Sequence, residues 1–414
     1  MVAGIIIGAS IFVQPSEITR HVPAVGGMLL VWLLSGVLTF FGALVCAELA
    51  SAYPHTGGVY VFLKETYSPA AGFLWGWAMF WCMHSGIVAA IAVVLARYVG
   101  FFVPLGDGGV RLVAISAIFI LSAINVIGVR QGSAVQTFFT VAKVVAIIIL
   151  LVMVVAFAPH KAAVHLTQTT PPTTLRDFVL AMVAGLFAYG GWHMVTYAAE
   201  ETREPQKTIP RALVIGIAIV TLCYLGLNAA YVSVLPLDQV IHSQRIAADM
   251  ATAVAGPRGA AAVSIVVIIS SLGALGGVIL AGPRVYFAMA RDGLLFRWIG
   301  VVHPRFQTPH IAIVLQAVWA SALVATGSYR SLFTRVVYTE WIFFALMAAG
   351  LFILRRRAAY APTYRTWGYP VVPITFIVAS MVIVGVQIAA EPMESVTGLL
   401  LVMAGLPVYY FWSK

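Results

Sequence analysis

Charged residues are scarce in this chain of 414 residues, since Asp, Glu, Lys and Arg together make up 9% of it while 62% is hydrophobic. No soluble fold hides that much apolar surface, so the composition excludes a soluble enzyme and predicts a polytopic membrane protein. The apolar stretches are long continuous runs rather than alternating ten-residue segments. They therefore favour an all-α helical bundle over an outer-membrane barrel.

Cysteine is also rare, and its positions exclude several chemistries. Cys46, Cys82 and Cys223 all fall inside apolar segments, so they form neither a disulfide framework nor a metal-ligand spacing. The chain has no nucleotide-binding loop and no pair of carboxylates beside a nucleophile. An enzyme, ATP-driven transport, a cofactor and a metal site therefore have no support in the sequence.

Positive charge exceeds negative charge, with a formal net charge of +10. The Lys and Arg residues are scattered through short loops, which is typical of topology signals and headgroup contacts rather than of nucleic-acid binding.

The first segment lacks a basic region and a small-residue cleavage site, so no cleavable signal peptide is expected. Residue 1 already lies in a hydrophobic segment, which leaves open whether a native N-terminal tail is missing.

Runs of about 20 apolar residues predict twelve membrane spans. The first is an interrupted segment at residues 1–19, and the others lie at 26–50, 71–101, 110–130, 135–158, 177–199, 209–235, 257–290, 310–327, 331–355, 370–390 and 396–412. Twelve spans place both termini on one side. More Lys and Arg lie on that side than on the other, a moderate bias that predicts a multi-pass protein of the cell (inner) membrane with cytoplasmic termini.

Two of these spans contain small residues that interrupt an apolar run. They read "MVAGIIIGASIF" and "LAMVAGLFAYGGWHMVTYAAEE", and each heads a set of five spans. Because five is odd, the second set must enter the membrane inverted relative to the first. The pattern predicts an inverted-repeat transporter with a site near the membrane midplane. Its repeats would cover residues 1–158 and 177–355, followed by two accessory helices at 370–414.

An interruption inside a membrane persists only where the backbone lines a cavity or is buried in protein. We expect a second half-helix to begin at Gly8-Ala9-Ser10, where free N–H groups suit a carboxylate. The other helix is expected to end its first half at Phe187-Ala188-Tyr189, where free carbonyls suit an ammonium. Together they would bind the zwitterionic end of an amino acid. The alternative is that the glycines only let helices pack closely, but two interruptions at matching positions favour the site.

Five motifs in the chain resemble those of the amino acid–polyamine–organocation superfamily, and most of all its L-type amino acid transporter branch. "GIIIGASIF" is similar to the Gly-x-Gly-Ile-Phe motif of the first helix. The other four, in the family's order, are "AYPHTGGVYVFLKETYSPAAGFLWGW", "GLFAYGGWHMVTYAAEETREPQKTIPRA", "PRVYFAMARDGLLF" with "HPRFQTPH", and "WGYPVVP". Their shared order over nearly the whole chain makes the resemblance specific.

The resemblance implies the five-plus-five, LeuT-like fold and amino acid transport by alternating access, as exchange or proton-linked uptake. By the family's pattern, the substrate carboxylate would meet N–H groups of Ala9, Ser10 and Ile11. The ammonium would meet carbonyls near Ile6, Ile7, Phe187 and Ala188, with Gly8 and Gly190 at the interruptions. The Phe187 ring would act as an outer gate.

The chain departs from the family's pattern at Ser10, where the family has its second glycine. This places a side chain where backbone and ligand approach closely. The hydroxyl either bonds the ligand or caps the second half-helix, and capping is slightly favoured.

Two ionisable residues inside predicted spans are candidates for coupling, because such groups are costly in hydrocarbon. Lys143 lies well inside its span, although a lysine can also snorkel to the headgroups. In the resembled family a lysine here lies near the first interrupted helix, where sodium-coupled relatives hold sodium, which implies sodium independence. Whether Lys143 titrates is left open. Glu340 is the other candidate, with a solvated carboxylate or a pair with Arg335 as equal alternatives.

Two histidines and two glutamates in or beside the predicted spans are expected to have structural roles. His84 and His193 could titrate near neutrality, but hydrogen-bonded packing is the more common role of such residues. Glu200 and Glu201 follow the second interruption, where they predict ion pairs that brace an inner gate or loop. The arginines at 284 and 291 are the candidate partners.

The substrate is predicted to be a neutral amino acid. Neither interrupted helix presents an acidic residue that would bind a second ammonium, and neither has an arginine at the interruption that would bind a second carboxylate. A cationic amino acid or polyamine carrier of the same fold is the alternative, and an amino acid sensor without flux is less favoured. Animal relatives join a heavy chain through a cysteine in the loop after the third helix. Here residues 102–110 contain none, so no disulfide-linked partner is expected and the protein is predicted to work as a monomer in the bilayer.

Overall fold

The protein is described here from a computed structural model, which describes residues 2–127, 141, 143–145, 147–152, 154 and 172–412. All regular secondary structure in these ranges is helical. The all-α prediction is therefore confirmed for the described part of the chain. Most of the predicted fifth span, 135–158, lies outside it.

The first predicted span is interrupted where its small residues cluster. A short helix covers Val2–Ile6 and a second covers Gln14–His21, and one 3-10 turn at Ser10–Phe12 lies between them. The second half-helix is predicted to begin at Gly8-Ala9-Ser10, and the 3-10 turn does begin at Ser10, but the α-helical part begins later. It begins at Gln14 because Pro15 is favoured in the first turn of a helix, where its missing N–H costs no hydrogen bond.

The second interruption lies within the span that begins at Leu175. An α-helix covers Leu175–Ala188, a turn follows at 189–191, and a 3-10 helix continues over Trp192–Glu201. The predicted end of the first half at Phe187-Ala188-Tyr189 is confirmed. We refer to residues 2–21 and 175–201 as the first and second interrupted helices.

The remaining helices follow in chain order. Those before the second interrupted helix are Val25–Ala52, Val59–Thr66, Pro69–Ala78, which continues through a π turn at Met79–Met83 into His84–Val99, then Asp107–Ile127 and the apolar segment Lys143–Val152. Those after it are Pro205–Val234, Leu237–His242, Ile246–Arg291, His310–Thr326, Tyr329–Leu354, Val371–Ala390, Pro392–Met403 and Gly405–Trp412. The helix Ile246–Arg291 bends at Gly256, whose φ of +69° suits glycine, directly before Pro257.

Nine helical segments of the described ranges are long and apolar enough to cross a membrane, and each overlaps a predicted span. Two further apolar helices, Lys143–Val152 and His310–Thr326, are shorter. The chain is therefore a multi-pass membrane protein, while the full count of twelve stays a prediction.

The two interrupted helices lie together in the centre of the bundle. The first contacts the second and also the helices Pro205–Val234 and Ile246–Arg291. The helix His84–Val99 packs against Ile246–Arg291 and Tyr329–Leu354 on the other side. This arrangement encloses both interruptions within one apolar core.

Candidate functional site

The two interruptions face one cavity. The first contributes Ile6, Gly8 and Ser10, and the second contributes Phe187, Ala188 and Gly190. The remaining walls come from three other helices and are mostly apolar: Ile87, Ile91, Val278, Val336 and Glu340. Of the predicted residues, Ile7, Ala9 and Ile11 are fully buried beside it. The structure thus brings the two predicted half-sites together.

Three backbone amides at the first interruption donate to no acceptor among the described residues. The 3-10 turn makes its first bonds from the N–H of Phe12 to Ala9 O (3.1 Å) and from the N–H of Val13 to Ser10 O (3.0 Å). Among the described residues, the N–H groups of Ala9, Ser10 and Ile11 donate to no protein acceptor. These are the groups that the carboxylate-binding prediction requires, and amides at the start of a helical turn suit an anion.

Ser10 does not cap the second half-helix. Neither the 3-10 turn nor the helix Gln14–His21 has a side-chain cap bond, so the favoured capping role is wrong. Ser10 is the first residue inside the 3-10 turn rather than the residue before it, and it lines the cavity. Ser10 therefore borders any ligand in that space.

The second interruption depends on a left-handed glycine. Gly191 has a φ of +90°, a conformation that glycine adopts without strain. A Cβ at this position would lie 2.8 Å from Cγ2 of Ile5 in the first interrupted helix. The absence of a side chain therefore permits both the turn and the close approach of the two interruptions.

Tyr224 joins the two interruptions, and sequence reasoning missed it. Its hydroxyl lies 2.9 Å from the carbonyl oxygen of Ile6 and 3.1 Å from that of Ala188. The Ile6 carbonyl also accepts from the N–H of Gly8 at 2.7 Å. Both carbonyls were predicted to receive the substrate ammonium, and both already have a protein partner. The carbonyl of Ile7 accepts no bond from the described residues.

Phe187, the predicted outer gate, lines the cavity and contacts a second phenylalanine. Its ring lines the cavity, and its centroid is 5.5 Å from that of Phe333. Phe333 lines a second, polar cavity together with Glu17 and Arg330. Glu17 and Arg330 form an ion pair at 2.6 Å. The two phenylalanine rings are therefore in contact while each lines a different cavity.

Lys143 lies behind the first interrupted helix rather than in the cavity. Its side chain is buried, and Nζ donates to the carbonyl oxygen of Gly4 across 3.2 Å. The alternative of a lysine that snorkels to the headgroups is therefore wrong, because its amine has a partner inside the bundle. Its position beside the first interrupted helix is the one that the resemblance implied.

Glu340 is buried on the cavity wall. Its Oε1 lies 4.0 Å from Nε2 of His193, which is also buried. The alternatives of a solvated carboxylate and a pair with Arg335 are wrong, because Arg335 instead lies 3.7 Å from Glu394 of the helix Pro392–Met403.

The two candidate histidines have different partners. His84 Nε2 lies 2.8 Å from the carbonyl oxygen of Val278, as hydrogen-bonded packing predicts. His193 sits among aromatic rings, with centroids of Trp75 at 5.8 Å and Phe344 at 4.9 Å. His193 is therefore the histidine that the structure places against an acid.

Ion pairs lie at the end of the bundle that follows the second interruption. Arg284 binds Glu201 through two bonds of 2.7 and 2.9 Å, and Arg291 meets Glu200 at 3.3 Å. Both predicted pairings are confirmed.

Asp292 extends this network, and sequence reasoning did not find it. It accepts from the hydroxyl of Tyr60 at 2.6 Å and from Nζ of Lys64 at 2.7 Å. Burial acts to raise the pKa of Asp292, but the bonds from Lys64 and Tyr60 outweigh it and lower the pKa. The network therefore ties the short helix Val59–Thr66 to the end of Ile246–Arg291.

The bundle and its central cavity define a multi-pass membrane protein with an internal site between two interrupted helices. A family model described as amino acid permease matches residues 1–411, and the chain belongs to that family. This confirms the predicted membership of the amino acid–polyamine–organocation superfamily.

Similar proteins are transporters rather than enzymes. The chain is 32% identical to the serine/threonine exchanger SteT of Bacillus subtilis (strain 168), covering 100% of this chain and 95% of the relative. It is 31% identical to the human b(0,+)-type amino acid transporter 1, over 100% and 86%. The human cystine/glutamate transporter is 27% identical, over 100% and 84%.

Proposed function

We propose that this protein is a secondary-active transporter that carries neutral L-amino acids across the cell membrane by alternating access, as an exchanger or with protons. The observation that carries the proposal is a set of three amides, at Ala9, Ser10 and Ile11, that have no acceptor in the described part of the chain. They lie at a cavity shared with the second interruption. Such amides are suited to a carboxylate. The exchange of serine and threonine by a relative with similarity over the whole chain supports the same class of substrate.

The same proposal includes the architecture. Twelve spans would form inverted repeats at 1–158 and 177–355, with accessory helices at 370–414 and cytoplasmic termini. The matching interruptions at the heads of the two repeats support it. The cysteine-free loop at 102–110 supports a monomer without a disulfide-linked heavy chain.

Neutral side chains fit the walls of the cavity. Ile87, Ile91, Val278 and Val336 are apolar and line it, so they favour an uncharged side chain. Lys143 supports sodium independence, since its amine already provides a fixed donor to the carbonyl of Gly4. A sodium ion there would compete with that donor for carbonyl oxygens.

Uptake into proteoliposomes tests the proposal. The purified chain is assayed with each common amino acid, under imposed proton and sodium gradients and with amino acid preloaded inside. Saturable uptake that is insensitive to sodium supports the carrier. Flux that does not saturate would indicate a channel, binding without flux would indicate a sensor, and absence of flux for every amino acid contradicts transport.

Glu340 favours cationic amino acids as a second candidate class. Its carboxyl group lies on the cavity wall, where it could receive a second ammonium at the far end of a substrate. Competition by lysine and arginine against neutral substrates distinguishes the two classes. For cationic transport, Glu340→Gln is expected to lose competition by lysine selectively, while Glu340→Asp retains it. Equal loss for neutral substrates would contradict this role.

A further inference from the structure

A groove lies beside the start of the helix Pro205–Val234, apart from the central cavity. One wall is this helix, the other is Val25–Ala52, and residues 363–367 form the rim. The proposed transport mechanism does not use it. Ile215, at the apolar end of the groove, is 58% exposed. It lies on a helix long and apolar enough to cross a membrane, so hydrocarbon would cover this end.

The face of the helix Pro205–Val234 that lines the groove forms a stripe that changes from basic to apolar residues. Lys207, Arg211 and Ile215 are spaced four residues apart, so they share one helix face. All three line the groove. Eight residues of helix cover about 12 Å along the axis. Within that distance the stripe passes from two cations to an apolar side chain, which is the order in which a phospholipid presents its phosphate and its acyl chains.

The opposite wall of the groove is apolar and its rim is aromatic, which follows the same order from acyl chains to headgroup. Phe40 and Leu44 supply apolar surface from the helix Val25–Ala52, while Tyr364 and Trp367 stand at the rim. Trp367 is 76% exposed. Tryptophan and tyrosine are enriched at the headgroup level of membranes, so the rim marks the depth at which a headgroup would lie.

The rim is fixed to both walls. The N–H of Thr366 donates to Oε2 of Glu48 at 2.6 Å, and its hydroxyl donates to Leu44 O at 3.1 Å. The hydroxyl of Thr363 donates to Gln206 O at 3.3 Å. The groove is therefore formed before any ligand arrives, which reduces the entropy cost of binding.

The charge of the groove is positive. In the described part of the chain, the guanidinium of Arg211 meets no carboxylate within ion-pair distance, although other arginines do. Lys207 faces Glu204 at 3.6 Å, but both side chains are more than half exposed, and such pairs contribute little. Glu48 does not offset this charge, because Arg355 binds its carboxylate at 2.6 and 2.9 Å.

We propose that this groove binds one anionic phospholipid. Its phosphate would lie between Lys207 and Arg211, and an acyl chain would run between Phe40 and Ile215. Basic pockets between membrane helices are a known means of holding anionic headgroups. The proposal is independent of the transported substrate.

Lipid titration of the purified full chain tests this site. The chain is held in phosphatidylcholine nanodiscs, phosphatidylglycerol is added, and bound lipid is counted by native mass spectrometry after release into detergent. Thermal unfolding is followed in parallel, with inorganic phosphate as a separate ligand. We expect one retained phosphatidylglycerol and a raised unfolding midpoint. A rise of equal size with inorganic phosphate would overturn the assignment to a lipid.

Matched variants separate the groove from general attraction. The double substitution Lys207→Ala/Arg211→Ala is expected to weaken retention at least about tenfold, which corresponds to 1.4 kcal/mol. Arg297→Ala/Arg356→Ala removes the same charge from exposed residues outside the groove and should retain the lipid, as should Arg211→Lys. Equal loss in both double variants, or no loss in the first, would overturn the proposal.

Discussion

Lys143 donates from Nζ to the carbonyl oxygen of Gly4 across 3.2 Å. The bond connects the predicted fifth span to the first interrupted helix, one turn before its interruption. Lysine at this depth is costly in a membrane unless its amine has a partner. The contact therefore ties an otherwise unfavourable residue to the element that lines the site.

Replacement of this lysine is the first test of its role. We expect Lys143→Ala to abolish or uncouple transport while the chain still folds and inserts. An unpaired buried carbonyl costs about 1–3 kcal/mol, enough to lower flux about tenfold if it shifts the interrupted helix. Flux in proteoliposomes at several pH values and thermal unfolding measure the two effects. Ile148→Ala, at an exposed position of the same segment, is the control. Wild-type flux with an unchanged pH response would reject the role.

A bulky residue at Gly8 should block the cavity. A Cβ there would lie 3.7 Å from Cβ of Ala274, which is an ordinary contact, so Gly8→Ala is expected to fold. The larger Gly8→Val would extend into the cavity that Gly8 lines. Overpacking costs about 1–3 kcal/mol, so substrate affinity should fall about tenfold or more in equilibrium binding.

The matched control is Gly385→Val, because Gly385 is exposed and a Cβ there meets nothing within 4 Å. It should bind substrate as the wild type does. Retained affinity in Gly8→Val would mean that the substrate does not approach the first interruption.

Removal of the Tyr224 hydroxyl should lower both the stability of the fold and the affinity for substrate. Tyr224→Phe keeps the ring but leaves the carbonyls of Ile6 and Ala188 without that donor. We expect a loss of about 1–3 kcal/mol in stability, together with altered substrate affinity because the two interruptions lose their shared bond.

Tyr67→Phe is the control, since Tyr67 donates to Leu346 O at 2.7 Å outside the cavity. It should lose stability without a change in affinity. If both variants changed affinity equally, the hydroxyl of Tyr224 would have no special role at the site.

Much of the site could be predicted because it is local in sequence. Glycine and small residues inside apolar runs identify a backbone that cannot continue as a helix, and Gly191 has the left-handed conformation that such a cluster suggests. The pairing of Glu200 with Arg291 was also accessible, because a few charges at the end of a span have few possible partners.

The contacts that were missed join distant parts of the chain. Tyr224 and Ile6 are 218 residues apart, and no periodicity indicates which tyrosine of a long apolar helix faces an interruption. The contact between His193 and Glu340 was missed for the same reason, because the two residues are far apart in the sequence. The helices Val59–Thr66 and Leu237–His242 were missed because they are too short to give a run of about 20 apolar residues.

The hydrogen bonds to Asp292 should make the stability of the fold depend on pH in the acid range. Because its pKa is lowered in the folded protein, the carboxylate stabilises the fold above the unfolded pKa, and this contribution is lost as pH falls through the folded value. No change from this group is expected between neutrality and pH of about 5, since the unfolded pKa of Asp is about 3.9.

Lys64→Met removes one of the bonds that lower the pKa of Asp292, so acid unfolding should begin at a higher pH than in the wild type. Arg297→Met, which removes a charge without a carboxylate partner among the described residues, should leave the acid transition in place. An identical shift in both variants, measured by unfolding across the acid range, would assign the effect to net charge rather than to the contact between Lys64 and Asp292.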